Sequence, residues 1–496
     1  MMAGAAVLTA ETAIPLARTS LALWRRGLPL TDHLTAVRVA SRSDDVELLA
    51  LLRASGADLR IRSAGGDTAL HDAAASGALR AAAFLVAEGL DVDDPGRAGP
   101  PLSRALEEGH LEVARVLLAN GADARVRIGP EQRPTAVQVA LSGDVAKMNR
   151  LLGLGIPPDV ADTDGLTALA HAVSRNDEPM VRALLEAGAT TQVDPAGPDR
   201  SLLEQAIRDG RKNMVVLLLA HGADATVRSR EGQPLLPLAV ALGRVEIAAA
   251  LLDAGVAVDA ELAPSPSEEF LALVPGKHAR YYLTRDEGVR PLMVAVLRGD
   301  REMTRLLLER GASVRPTRRL TKYPLGMAAD RRDITMMQML LGRDPEEATR
   351  ARRIVVSLSD QQATLYESGK ATLKTRISTG KPGFRTPPGE YVITSKHRHW
   401  RSTLYPADMP YFMRLSGSDM GLHEGAVPRQ AASHGCIRVP RPTAGFLYEH
   451  MRLGDPVTVV SRAEPSLPRD MPNRGRPSRD ASLAPAEGLR SSLSPR

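Results

Sequence analysis

The sequence predicts a multidomain α + β chain, an α-helical solenoid of short repeats followed by a smaller β-rich domain. Three observations lead there. Two sets of small residues recur together roughly every 33 residues through the first two thirds of the chain. After Arg350 the helical period gives way to alternating apolar and polar residues. The single cysteine, Cys436, falls in that second region, inside the run Ser433-His434-Gly435-Cys436-Ile437-Arg438.

Composition sets the limits. A chain of 496 residues exceeds one ordinary domain, and 43% hydrophobic with 25% charged residues fits folded globular units. Aromatics are only 3%, so a large core must be built from Ala, Leu and Val. One cysteine excludes an internal disulfide and a Cys-based zinc cluster. No uncharged apolar run approaches the roughly eighteen residues that would span a membrane. The net charge of +6 is uneven: residues 352–462 hold 16 Lys/Arg against 8 Asp/Glu, a local +8. That surplus suits an acidic substrate or polymer, although a basic solvated face is the plainer reading. Lys is scarce beside Arg, stacking aromatics are few and no nucleic-acid motif occurs, so no nucleic-acid partner is expected.

Residues 1–30 read as the remnant of an export signal or as an N-terminal cap. Residues 3–10 resemble the end of an apolar signal core, with a small-residue cleavage site at Leu8-Thr9-Ala10, but no basic segment precedes them and Glu11 follows. A start placed too far downstream would account for this; a cytoplasmic chain is the alternative.

The repeats occupy 31–345. Gly-Ala-Asp and its variants mark Gly56, Gly89, Gly121, Gly155, Gly188, Gly222, Gly255 and Gly311. A phase-locked alanine stands at Ala40, Ala73, Ala105, Ala140, Ala172, Ala206, Ala239, Ala295 and Ala328. Each unit opens on a capping residue such as Thr68, runs through a short Ala-rich helix and continues into a leucine-paired one. It stops at a glycine able to take the left-handed conformation. One such pair cannot bury its apolar face alone, so neighbours must stack. The segment from Gly109 to Asp123, GHLEVARVLLANGAD, closely resembles the second helix and turn of an ankyrin repeat. The resemblance covers about 35–345, with eight clear copies and a degenerate ninth around Tyr323–Leu341, and implies a protein-binding concave face with an unknown partner. The step from Gly255 to Gly311 leaves extra residues at about 261–289, expected to project as a surface loop. His71, His110 and His221 fall where such repeats use histidine for hydrogen bonding, so they are set aside as metal ligands.

Residues 352–462 read as the β-rich domain. Strands are expected from Ile354, Gln362, Ala371 and Gly389, then a helix at about 442–451 and a last strand at 456–460. Cys436 lies beside Gly435 and His434, with His423 thirteen residues upstream. A lone cysteine is commonly a small buried hydrophobe. Here an imidazole can take the thiol proton, Gly435 lets backbone approach a substrate, and amides around 434–436 could face an oxyanion. These residues strongly resemble the signature of the L,D-transpeptidase (YkuD-type) family, a His, a loop, then Ser/Thr-His-Gly-Cys, an apolar residue and Asn or Arg. Ser378-Thr379-Gly380-Lys381, Thr386-Pro387-Pro388-Gly389 and Leu365-Tyr366 extend the likeness over the domain; the loop from His423 to Ser433 is at the short end for the family.

The resemblance implies an L,D-transpeptidase with Cys436 as nucleophile and His423 as general base and acid, acting without a cofactor on peptidoglycan stem peptides and passing the acyl group to an amine in the periplasm or cell envelope. Arg438 would orient a substrate carboxylate or form a structural ion pair, and Ser433, His434 and Gly435 would shape the site. Carboxypeptidase or D-amino-acid exchange at the same thiol, and a non-catalytic ankyrin scaffold with a wall-peptide-binding domain, stand as alternatives. His397, His399, His423, His434 and His450 crowd the domain, but no carboxylate-plus-His helix motif joins them and no metal site is expected. Trp400, within 396–409, reads as part of a substrate-flanking loop. The tail 463–496, rich in Pro, Ser and Arg, is expected to be disordered.

Overall fold

The computed structural model describes residues 10–27, 32–97, 99–191, 201–315, 323–402 and 406–462. Residues 3–9 of the signal-like segment and the tail 463–496 therefore lie outside the described residues. The chain divides into two compact units, Met1–Arg343 and Asp344–Arg496.

In the first unit, helix pairs succeed one another from His33–Arg42 with Val46–Ala54 to Pro324–Asp330 with Ile334–Leu340. The two periodic markers have separate physical roles. All nine phase-locked alanines are 0% exposed, because the inner helices meet there and a larger side chain would overpack, typically by about 1–3 kcal/mol. The eight marker glycines all have φ between 78° and 92°, the left-handed conformation that ends a helix without a Cβ penalty. Outer helices start on Asp45, Asp144, Asp177, Asp300 and Asp333, each accepting a backbone N–H from the first turn, worth about 1 kcal/mol apiece. Neighbouring turns are tied as well: the Asp93 carboxylate accepts the Asp123 N–H at 2.9 Å, and Asp159 accepts that of Thr190 at 3.0 Å.

Helix Ala10–Arg25 covers the first pair. Thr19 Oγ1 donates to the Leu51 carbonyl at 3.1 Å, Ala22 and Leu23 are buried, and Arg26 pairs with Asp45 at 2.6 Å. The histidines make backbone bonds: His71 Nδ1 accepts the Thr68 N–H at 3.1 Å, and His110 Nε2 and His221 Nδ1 reach the Ala75 and Leu217 carbonyls at 3.2 and 3.0 Å.

The residues between Gly255 and Gly311 do not project as a loop. They fold into two helices, Glu268–Leu273 and Lys277–Arg285. Phe270 is fully buried, and Tyr282 is buried with its hydroxyl on Asp330 at 2.7 Å. The 33-residue period hides any apolar pattern belonging to the insertion itself. The stack continues past it: Asp259 accepts the Ser313 N–H at 3.2 Å, the same tie that Asp93 makes to Asp123.

The second unit is built on an eight-stranded mixed sheet. Its strands are β1 (Arg352–Ser357), β2 (Gln362–Glu367), β3 (Lys370–Arg376), β4 (Gly389–His397), β5 (Phe412–Leu415), β6 (Gly421–Glu424), β7 (Ile437–Val439) and β8 (Pro456–Val460). Their order is β3-β2-β1-β8-β4-β5-β6-β7. Pairs β1–β8 and β6–β7 are parallel and the rest antiparallel. Helix Arg441–His450 buries Ala444 and Leu447 against the sheet in one core with Ile354, Val356, Ile393, Leu415, Leu422 and Val457. Fully burying side chains of this size stabilises by about 1.5–3 kcal/mol each. That core fixes β6 and β7, on which the candidate site stands.

Candidate active site

Strand β6 carries His423 and β7 begins one residue after Cys436. Their parallel register sets Leu422 opposite Ile437 and His423 opposite Arg438. Leu422 and Ile437 are fully buried. Side chains alternate along a strand, so anchoring this pair inward puts His423 and Arg438 together on the other face. His423, Cys436, Arg438, Ser433 and His434 line one cleft, together with Asp419 and Met420. Its cavity of about 130 Å³ is well below the roughly 300–1,000 Å³ of sites that enclose a whole drug-sized ligand. It admits the end of a chain.

A second motif holds the cysteine loop. Ser378 exchanges backbone bonds with Arg438 at 3.0 and 2.9 Å, and the Thr379 carbonyl accepts the Ala432 and Ser433 amides at 3.0 Å. Ser433 Oγ, buried, donates to the Cys436 carbonyl and accepts the Gly435 N–H at 3.2 Å. The Gly435 amide is thus engaged within the loop, a correction to the expectation that amides across 434–436 would face an oxyanion. Gly435 has φ +115°, and a Cβ there would make only ordinary contact, the nearest atom being Met420 Cγ at 3.7 Å, so its glycine answers to conformation. Gly380 is the opposite case: a Cβ would stand 1.9 Å from the Phe384 carbonyl oxygen and 2.7 Å from the Thr386 nitrogen.

In the sequence Thr386 stands out only as the first residue of Thr386-Pro387-Pro388-Gly389. Its buried hydroxyl donates to the Gly435 carbonyl at 2.8 Å and accepts the Gly380 N–H at 2.9 Å, linking both glycine loops. Nothing local in the sequence marks this role, since the partners lie 6 and 49 residues away. Gly421 was missed too; a Cβ there would strike Phe412 and the Met413 carbonyl. Phe412 stacks on Trp400 at 5.8 Å between centroids and lies 6.4 Å from the His423 ring. From the 396–409 segment, Ser402, Ala407 and Met409 stand on the cleft wall.

His423 Nδ1–H donates to the Glu424 carbonyl at 2.7 Å, which leaves Nε2 as the unprotonated nitrogen of the neutral ring. Burial pushes the His423 imidazolium down to about 4, against the Glu424 bond and helped by the positive Arg438. Burial likewise raises the Cys436 thiol, opposed by a hydrogen bond from the Gly421 backbone and by Arg438. Both shifts favour the uncharged forms of the thiol and the imidazole that line this cleft. Arg438 is half-buried and pairs with no carboxylate among the described residues. His434 is exposed, with its ring edge-on to Phe384 at 4.8 Å. His397 leans on Trp400 and His450 on Phe446; among the described residues no three His, Cys, Asp or Glu side chains gather to hold a metal.

Residues 351–459 match the model of the YkuD L,D-transpeptidase catalytic domain, and residues 36–128, 135–229 and 287–318 match ankyrin-repeat models. L,D-transpeptidase 2 of Mycobacterium tuberculosis is 28% identical over 122 residues, 21% of this chain and 30% of that protein. Putative palmitoyltransferase ZDHHC13 of Danio rerio is 29% identical over 189 residues, 35% of this chain and 28% of that protein. Among solved structures, an L,D-transpeptidase from Mycobacterium tuberculosis H37Rv is 28% identical with a TM-score of 0.21, covering 22% of this chain and 57% of that one. The chain spans between 17% and 28% of the length of the first curated relatives it matches. Ankyrin repeats thus stand N-terminal to a YkuD-type L,D-transpeptidase catalytic domain at 351–459 in this chain.

Proposed function

We propose that the second unit is a peptidoglycan L,D-transpeptidase with Cys436 as nucleophile. The observation that carries this is one cleft uniting the thiol, an imidazole whose Nδ1 alone is engaged and a guanidinium that pairs with no carboxylate among the described residues. Arg438 binds a carboxylate at the end of the stem peptide, which the small cavity receives end-on. His423 Nε2 takes the thiol proton as sulfur attacks the carbonyl before the terminal D-residue. The Cys436 amide is the candidate oxyanion donor, since that of Gly435 is engaged. His423 then returns the proton to the leaving amine, and a thioester remains. An acceptor amine attacks the thioester, the C–N bond forms, the C–S bond breaks and the thiol is restored. Burial disfavours the charged form of each group, so proton transfer accompanies attack.

Such chemistry belongs in the cell envelope, where stem peptides occur, and the domain's excess of eight positive charges favours a carboxylate-rich polymer. The ankyrin unit supplies a protein-binding surface. Intact mass of the full chain after incubation with a tetrapeptide muropeptide tests the reading against Cys436→Ala. An acyl adduct in the wild type alone supports it, and the product mass separates transfer from hydrolysis. No adduct on a folded wild-type chain would sink the reading.

A further inference from the structure

The cleft carries a carboxylate that the steps above do not use. Asp419 sits in the tight β5–β6 turn, closed by the Leu415 N–H on the Met420 carbonyl at 2.9 Å, and lines the cavity on which Cys436 and Arg438 open. It is the one carboxylate among the described residues lining that cavity. Its Oδ1 accepts Arg414 Nη1 at 3.1 Å, and the Arg414 guanidinium is held over Trp400 at 5.5 Å and Phe412 at 5.7 Å. Oδ2 has no partner among the described residues, and the side chain is 76% exposed. The thiol feels both charges: Asp419 raises it while Arg438 and Arg414 lower it. One cleft thus offers an unpaired cation and, apart from it, a carboxylate with a free oxygen.

We propose that Asp419 is the binding residue for a cationic acceptor, a primary ammonium group that enters beside the thioester while Arg438 serves the carboxylate of the donor. This rests on the transpeptidase reading and deepens it by assigning the acceptor's charge. Asp419 concentrates the ammonium form at the rim. Of the two protons its nitrogen loses, one passes to His423 and one to the departing sulfur; the C–N bond forms, the C–S bond breaks, and His423 then releases its proton to water. An exposed carboxylate of this kind attracts a cation modestly and in a salt-dependent way, so the effect falls on partition between aminolysis and hydrolysis.

The test uses the full chain, acylated by a tetrapeptide donor, with two acceptors competing against water: D-lysine, which is cationic, and hydroxylamine, which is neutral near pH 7. Asp419→Asn is expected to lower the D-lysine-to-hydrolysis ratio about fivefold and to leave the hydroxylamine-to-hydrolysis ratio within twofold. Added salt should erode the wild-type preference for D-lysine and not that of the variant, and Asp419→Glu should restore most of it. Equal loss with both acceptors, or none with D-lysine, overturns the assignment. A wild-type chain that forms no acyl adduct overturns the transpeptidase reading, and this assignment with it.

Discussion

Removing the titration of His423 should flatten the acid sensitivity of the second unit. The ring is 7% exposed and its folded value is about 4, against 6.5 for an ordinary histidine. A lowered folded value means the unfolded chain binds the proton more readily. Stability is therefore fully present above about 6.5, declines as pH falls, and is lost by the time pH has passed through about 4. The gap of about 2.5 pH units corresponds to about 3 kcal/mol at 1.36 kcal/mol per unit, of which about 2 kcal/mol falls between pH 7 and pH 4.5. Against a urea dependence of about 1–2 kcal/mol per molar, that is a midpoint shift of roughly 1–2 M. The assay is urea unfolding followed by Trp400 fluorescence in a Trp24→Phe background, since Trp24 and Trp400 are the chain's two tryptophans. Wild type should lose about 2 kcal/mol more than His423→Gln on acidification to pH 4.5. Equal losses would refute the reasoning. So would an NMR titration placing the His423 ring near 6.5, a measurement that needs no variant to fold.

The uncharged resting pair has a chemical signature: iodoacetamide should alkylate Cys436 more slowly at pH 7 than it does free cysteine, with the rate still climbing above pH 9, whereas a fast, pH-independent reaction at pH 7 would indicate a standing thiolate. Thr386→Val keeps the shape but strands the Gly380 N–H and the Gly435 carbonyl, so urea unfolding should show a loss of about 1–3 kcal/mol. Acylation should slow with it; an unchanged midpoint and rate would remove Thr386 from the site's support. Gly380→Ala has no room for its Cβ and should cost more than Gly435→Ala, where the Cβ makes only ordinary contacts and φ alone resists; the reverse ranking in thermal melts would contradict the geometry. In the first unit, Ala172→Leu should lower stability by about 1–3 kcal/mol at a position that is 0% exposed, and a neutral result would show that the inner helices have slack.

Much of this protein could be read directly from its residues, because the features concerned repeat or are local. The nine marker alanines are all fully buried and the eight marker glycines are all left-handed, since one packing constraint recurs with each pair. Strands β1 to β4 and β8 run over five to nine residues, long enough to stand out as apolar or alternating stretches, the alternation being plain in β2 and β8. Cys436, His423 and Arg438 stood out through the residue types around them. The strands that carry them did not: β5, β6 and β7 are only three or four residues long, too short to declare a period. Only tertiary structure decided that β6 and β7 lie parallel with His423 opposite Arg438, that Thr386 reaches a loop 49 residues away, and that Asp419 reaches the same cleft. The same holds for the insertion, whose two helices are defined by the stack they bury Phe270 and Tyr282 beside. Periodicity and capping act within a few residues along the chain. Sheet register, desolvation of a histidine and the meeting of two opposite charges depend on distances in space, which no short stretch of sequence encodes.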